Sequence, residues 1–380
     1  MANVFDYLKE RGNIPLGADP LNEVDNLILS ELTYTYLHGI VPDDASGIPL
    51  RDACRSYFSL HKPEEVRAYK SFWAKAPFLM EGMLSGARFA DTKLCWYVDE
   101  VDQKSDTQMS SLTYQLPDGS VYVAFRGTDG SVVGWKEDFM LCYLSETGGQ
   151  ARAARHLNRI ARTVTGPLTV GGHSKGGNLA VYAAAFCDPA VQGRIQAVYT
   201  NDGPGFRPEV LSSAEYQRVL PRIRSIIPDT AIIGLLLASK ARHRVVRSSA
   251  AGLYQHDGFS WMVEGNRFVS ASLTAVGGLI DSALGDWLAQ MDDDTRRSFV
   301  DTVFGLLEAP GMDTFSEMSR NKWQTFEAMF TALRSLPKEK SMEALRLLGQ
   351  LSQSGGQAVA SRMIAKLNQF LSEPDTGKGV

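Results

Sequence analysis

The stretch Val170-Gly-Gly-His-Ser-Lys-Gly-Gly-Asn-Leu-Ala180 decides how this chain is read. It places a serine at the centre of a G-x-S-x-G pattern made of Gly172, His173, Ser174, Lys175 and Gly176. On its amino-terminal side, Leu168-Thr-Val-Gly is a short run with strand character. On the other side, Gly176 to Cys187 is rich in small residues and predicts a helix. A serine at that junction sits on a sharp strand-to-helix turn, the setting in which a serine hydroxyl serves as a nucleophile. Glycines must flank it, because a Cβ there would meet the adjoining helix and strand. The first N–H groups of the new helix then face any negative charge that develops beside the hydroxyl. The bland alternative is a tight glycine turn with an incidental serine. The strand and the Ala-rich helix on either side weigh against it.

Outward from that turn, strands and helices alternate. Gly149 to Val164 carries Ala153, Leu157, Ile160, Ala161 and Val164 on one helical face. Ile195-Gln-Ala-Val-Tyr and Ile223-Arg-Ser-Ile-Ile predict further strands downstream. Upstream, Leu94-Cys-Trp-Tyr-Val, Ser111-Leu-Thr-Tyr-Gln-Leu and Val121-Tyr-Val-Ala-Phe predict three more. Pro117-Asp-Gly-Ser between the last two is a hairpin turn signal. This alternation implies an α/β protein with a mostly parallel sheet covered on both faces.

The ends of the chain read differently. Residues 1–85 form an N-terminal helical segment, in which Val24, Leu27, Ile28, Leu32 and Tyr36 recur at helical spacing behind an Asn22 cap. The α/β core spans 86–269. Residues 270–380 read as a C-terminal helical region. There Phe299, Val303, Leu306 and Leu307 share one helix face, and Trp323, Phe326, Met329, Phe330 and Leu333 another. Thr314 with Glu317 suggests a capping box, and Met342 to Leu348 and Val359 to Leu371 are two further amphipathic pieces. The last residues, from Glu373, read as a frayed tail.

Composition removes several classes of function. A formal net charge of −4 gives no general attraction to nucleic acid or an anionic membrane. The longest apolar stretch, Ala231 to Ala238, is far short of the roughly 18–20 residues of a membrane helix. The amino terminus lacks the basic start and apolar run of a signal peptide, so a cytoplasmic location is expected. Cys54, Cys95, Cys142 and Cys187 are scattered among apolar residues and read as reduced core thiols. The six histidines form no metal-ligand pattern, so no metal and no cofactor are expected.

A second motif lies upstream of the serine. Val123-Ala-Phe-Arg-Gly-Thr-Asp-Gly130 is followed by Gly134-Trp-Lys-Glu-Asp-Phe139. An FRGT element, then W-x-x-D, then a strand and GHSxGG, resembles the class 3 (fungal-type) lipases, and in particular a bacterial lipase-like branch with GHSKGGNLA at the turn. The likeness runs from about Asn22 to Phe268 and is strongest from Phe125 to Phe206. It implies an α/β-hydrolase fold and a serine hydrolase with Ser174 as nucleophile. It further implies an oxyanion hole closed by Thr128, with the backbone N–H of Lys175 as partner donor. Arg126, Trp135 and Asp138 are expected to be structural, with Arg126 pairing Asp138. Lys175 departs from the apolar residue many lipases carry there, and a lysine at a helix start is expected to face solvent.

A serine needs a base, and the base needs an orienting acid. In this fold both follow the serine in the chain, so only His243 and His256 qualify as base. His243 lies in the basic run Lys240-Ala-Arg-His-Arg, which starves it of an acid. His256, in Tyr254-Gln-His-Asp-Gly-Phe-Ser-Trp261, is the better candidate; its bland alternative is a loop histidine packed on Trp261. For the acid, Asp229 follows a strand as the catalytic aspartate of class 3 lipases does. Asp202, before Gly203 and Pro204, is its rival and otherwise reads as a turn residue. The expected triad is therefore Ser174, Asp229 and His256.

The resulting expectation is a carboxylic ester hydrolase acting on a small-molecule ester or lipid through an acyl-enzyme. A thioesterase, amidase or acyltransferase using the same residues stays open, as does an inactive hydrolase fold used for binding. Ala231 to Ala238 reads equally as an acyl pocket or lid and as a buried helix, and peripheral contact with lipid stays open. Met312, Phe315 and Met318 are further candidates for capping the site.

Overall fold

The computed structural model describes residues 2–68, 72–274, 292–308 and 311. Residues 1–129 and 133–278 form one compact unit, and 130–132 with 279–380 a second. In the second, one helix is described, Asp293–Glu308, which carries Phe299 and Val303 as the sequence pattern anticipates. The segments around Met312 to Met318, Trp323 to Leu333, Met342 to Leu348 and Val359 to Leu371 lie outside the described residues.

In the first unit, eight strands lie side by side in chain order: β1 (Ile48–Pro49), β2 (Lys93–Asp102), β3 (Thr107–Gln115), β4 (Val121–Phe125), β5 (Leu168–His173), β6 (Ile195–Asn201), β7 (Ile223–Pro228) and β8 (His243–Val246). β1 through β4 pair antiparallel. From β4 to β8 every pairing is parallel. The β3–β4 hairpin turns at Pro117-Asp-Gly-Ser, with Gly119 in the left-handed region at φ 82°. β8 was not anticipated, because the run Lys240-Ala-Arg-His-Arg carries no strand signal.

Ahead of and between the strands lie α1 (Val4–Arg11), α2 (Glu23–Leu32), α3 (Leu50–Leu60), α4 (Pro63–Ala68), α5 (Phe78–Leu84), α6 (Val132–Met140), α7 (Gly148–Ala161) and α8 (Lys175–Phe186). With helices flanking a mostly parallel sheet, this is an α/β-hydrolase fold. The strictly sequential strand order has a consequence. Parallel crossovers are right-handed, so successive connections in one direction put their helices on the same face. Accordingly α7 (Ala153, Leu157, Ile160) and α8 (Leu179, Ala183) pack with Val123, Val170 and Val198 on one side of the sheet.

The other face needs a separate cover, and the N-terminal helices supply it. Tyr7 of α1, Leu27 and Ile28 of α2 and Met80 of α5 join Tyr114, Tyr122, Ala124 and Ile226 in a second core. Alternate residues of β4 thus serve opposite cores, as the two-residue period of a strand requires. The helices read as residues 1–85 consequently fold into the same unit as the sheet. α2 stops at Leu32, short of Tyr36, which is exposed. Polar groups pin α2 to the sheet: the Tyr122 hydroxyl donates to Asn26 Oδ1 at 2.7 Å, Asn26 Nδ2 to Asn201 Oδ1 at 2.9 Å, and the Tyr114 hydroxyl to the Leu29 carbonyl at 2.7 Å. Asp25, at the start of that helix, is buried against the equally buried Arg88 and the Tyr7 hydroxyl. Among the described residues, no helix is long and apolar enough to cross a membrane.

Candidate active site

β5 delivers Ser174 and α8 begins at the next residue. Ser174 holds φ 58° and ψ −135°, a backbone region that costs a non-glycine residue about 1–3 kcal/mol. The turn is too tight for side chains on either side. A Cβ on Gly172 would lie 2.3 Å from the Gly176 carbonyl, and one on Gly176 would lie 2.1 Å from the Phe125 carbonyl. The G-x-S-x-G pattern is therefore a packing requirement of this turn. The Ser174 N–H donates to the Asn201 carbonyl at 2.9 Å, which ties the turn to the end of β6.

His256 sits in a short 3₁₀ turn, Gly252–His256. Its Nδ1 and Asp202 Oδ2 are 2.6 Å apart, and the second carboxylate oxygen of Asp202 accepts the Gly234 N–H at 3.0 Å. The acid facing His256 is thus Asp202, which corrects the expectation of Asp229. Register gives the reason. His173 pairs with Asn201 across β5 and β6, so the residues that follow them, Ser174 and Asp202, leave adjacent strands at the same level. Asp229 follows β7, one strand farther out, about 4.8 Å more. Its carboxylate meets the Thr230 hydroxyl at 3.3 Å. His243, the other histidine downstream of the serine, bonds the Ser225 hydroxyl at 2.8 Å.

The FRGT loop abuts the serine. A Cβ on Gly127 would come within 2.8 Å of Ser174 Cβ and 2.7 Å of the His173 carbonyl, so only glycine lets the loop approach. Thr128 follows, and its hydroxyl donates to Asp138 of α6. Arg126 instead forks onto Asp99 at 2.9 and 2.8 Å and reaches Asp129 at 3.2 Å. The expected Arg126–Asp138 pair is therefore replaced by Arg126–Asp99 and Thr128–Asp138. Burial pushes the Asp138 carboxyl up from its ordinary 3.8 to about 6, against the lowering effects of the Lys175 ammonium and the Thr128 hydroxyl.

Lys175 also departs from expectation. Its side chain is buried, with Nζ 3.0 Å from Glu137 Oε2 and 3.1 Å from the Gln108 carbonyl. Glu137 in turn accepts the Gln108 N–H at 2.8 Å and the Gly149 N–H at 2.6 Å, so this buried pair has its hydrogen bonds made. Consecutive residues of α6 thus hold the two sides of the serine turn: Glu137 anchors Lys175, and Asp138 anchors Thr128. Among the described residues, the backbone N–H groups of Thr128 and Lys175 have no protein acceptor.

The Mbeg1-like family pattern matches residues 83–305, more than half of the chain. The chain belongs to the Mbeg1-like family. A search among curated proteins finds no match. Among solved structures, the crystal structure of M37 lipase is 15% identical, with a TM-score of 0.36 over 56% of this chain and 69% of that one. A fungal lipase–inhibitor complex, described as a model for interfacial activation, is 14% identical, with a TM-score of 0.35 over 59% of this chain and 77% of that one.

Two further features complete this Mbeg1-like site. His173 lies under His256, ring centroids 4.5 Å apart, with its Nε2–H donating to the His256 carbonyl at 2.7 Å. The Tyr34 hydroxyl lies 3.1 Å from His173 Nδ1. Burial, reinforced by His256, drives the His173 pKa far below the ordinary histidine value, so it is a neutral support for the loop carrying His256. Second, Asp202, Thr230, Ile232, Ile233 and His256 border a small depression. The Ala231–Ala238 stretch is not a buried helix but a loop with one 3₁₀ turn, Ile233–Leu235, whose isoleucines flank the dyad.

Proposed function

We propose that this chain is a serine hydrolase that cleaves acyl esters through a covalent acyl-enzyme on Ser174. The reading rests on one observation above the rest: the His256–Asp202 pair, with Asp202 leaving the strand next to that of a serine held at φ 58° and His256 against the ring of the preceding His173. In the proposed reaction His256 Nε2 takes the Ser174 hydroxyl proton as Oγ attacks the substrate carbonyl. Asp202, accepting from Nδ1–H, fixes the tautomer and stabilises the imidazolium. The N–H groups of Thr128 and Lys175 receive the oxyanion, which on average lowers the barrier by about 3–4 kcal/mol per donor. His256 returns the proton to the leaving alcohol, and water then repeats the cycle on the acyl-enzyme. Ile232 and Ile233 beside the dyad favour an acyl substrate with an apolar chain, a lipid ester among them.

A fluorophosphonate probe tests this. Intact mass should show one adduct on the wild-type protein, absent from Ser174→Ala and strongly slowed in His256→Ala. A folded wild-type protein that takes no adduct, with or without mild detergent, would remove the catalytic reading. If an adduct forms, a series of p-nitrophenyl esters sets the acyl length, and competing thiols or alcohols separate hydrolysis from acyl transfer.

A further inference from the structure

At the opposite end of the parallel strands from Ser174, a cleft of about 710 Å³ opens where β7 begins. None of Ser174, Asp202 or His256 lines it. Its volume falls in the range of sites for small organic ligands, about 300–1,000 Å³. Its charge is unlike that of the chain as a whole, which is −4. Five cationic side chains converge on it, Arg224, Lys240, Arg242, Arg244 and Arg267, against two acids, Asp19 and Glu23.

Both acids are already engaged. Asp19 pairs with Arg11 at 2.8 Å, and Glu23 pairs with Arg244 at 3.0 Å while accepting the Phe268 N–H at 2.7 Å. That leaves Arg224, Lys240 and Arg242 without an acidic partner among the described residues, while Arg267 shares Glu23 with Arg244 at longer range. The Tyr199 hydroxyl, which also lines the cleft, makes no hydrogen bond, and the buried Nε of Arg244 has no acceptor. Arg224 spends one arm on the Pro221 and Ile223 carbonyls, at 2.9 and 3.3 Å, and five cations set against two engaged acids still call for more than one negative charge. Between them Leu220, Ile223 and the Tyr199 ring offer an apolar floor.

We propose that this cleft is a second, non-catalytic site that binds a phosphorylated small molecule, its phosphate groups held by Arg224, Lys240, Arg242 and Arg267 and its organic part laid on Tyr199 and Ile223. The phosphate ester belongs either to a soluble ligand or to a lipid headgroup.

Calorimetry with inorganic pyrophosphate, and sedimentation with phosphatidylcholine vesicles containing or lacking phosphatidic acid, test the proposal on the full chain. The variant is Arg242→Ala/Arg267→Ala; both side chains are exposed and make no hydrogen bond or close ion pair among the described residues, so the melting temperature should not move. Two lost charge contacts weaken binding about tenfold. Arg51→Ala/Arg155→Ala, exposed and away from the cleft, serves as the control and binds like the wild type. Pyrophosphate binding lost in the cleft variant assigns a soluble phosphorylated ligand. Binding confined to phosphatidic acid vesicles, and lost in the same variant, assigns a headgroup. Absence of both kinds of binding, or equal losses in the cleft and control variants, overturns the site. Ser174 labelling should be the same in all of these proteins, so failure here is distinguishable from failure of the hydrolase reading.

Discussion

Asp202→Asn separates the two candidate acids by their surroundings. The native carboxylate accepts two bonds, His256 Nδ1–H at 2.6 Å and the backbone N–H of Gly234 at 3.0 Å. Asparagine offers one acceptor oxygen and an NH₂ group in the same space. The Gly234 N–H is a fixed donor, so the amide oxygen turns to it and the NH₂ turns to His256. Nδ1 must then become the acceptor, which moves the imidazole proton to Nε2 and leaves no lone pair for the Ser174 proton. The expected loss is on the order of 10³–10⁴ in turnover, or about 4–5.5 kcal/mol of transition-state stabilisation. Asp229→Asn, whose carboxylate accepts only from the Thr230 hydroxyl at 3.3 Å among described partners, should change turnover by less than about threefold. The assay is the second-order rate of fluorophosphonate adduct formation, with thermal melting to confirm that each variant is folded. A folded Asp202→Asn protein that reacts at the wild-type rate, with Asp229→Asn inert, would refute the assignment and restore the sequence-based choice.

Three other outcomes follow from the same geometry. Glu137→Ala strands the buried Lys175 ammonium and should lower stability by about 3–5 kcal/mol in denaturant titrations, whereas Glu137→Met with Lys175→Met should recover most of it. Gly127→Val should abolish probe labelling, because its side chain would occupy the space of Ser174 Cβ and the Tyr34 hydroxyl; wild-type labelling by a folded variant would contradict the packing. Asp138 has a raised folded pKa, so its ionised form opposes folding: the penalty is full above pH about 6 and vanishes below the unfolded value of 3.8. Asp138→Asn should therefore stabilise the protein at pH 7 by up to about 3 kcal/mol, but not at pH 3.5, while slowing ester turnover as the hold on Thr128 changes. Equal stability shifts at the two pH values would sink that argument.

Much of the fold was legible because strand and helix periods are local. β2 to β7, α7 and α8 all appear where apolar alternation placed them. Ser174 was legible for the same reason, since a glycine on each side of a strand-to-helix serine is itself a steric statement. Other features depend on partners distant in sequence. Asp202 reads as a turn residue, and it does adopt φ 47°, yet β5–β6 register and not the turn makes it face His256. Lys175 reads as a surface residue because its counter-ion, Glu137, arrives from a helix 38 residues earlier. Likewise the basic run from Lys240 to Arg244 hides a strand and one wall of the cleft, which only packing against β7 and the Asn266–Arg267 turn discloses.

Because α7 and α8 both lie on one side of the sheet, its second face is closed by helices that precede it in the chain. α2 is buried on all sides from Val24 to Leu32, and its Asn26 waits for Asn201, 175 residues later. A nascent chain leaving the ribosome therefore holds Asn26 without its Asn201 partner until β6 has emerged, at roughly 10 seconds or more of elongation. Birth order runs against assembly order in this molecule. The price is an interval in which α2 lacks part of its final cover, and in which it is a natural handle for a holding chaperone.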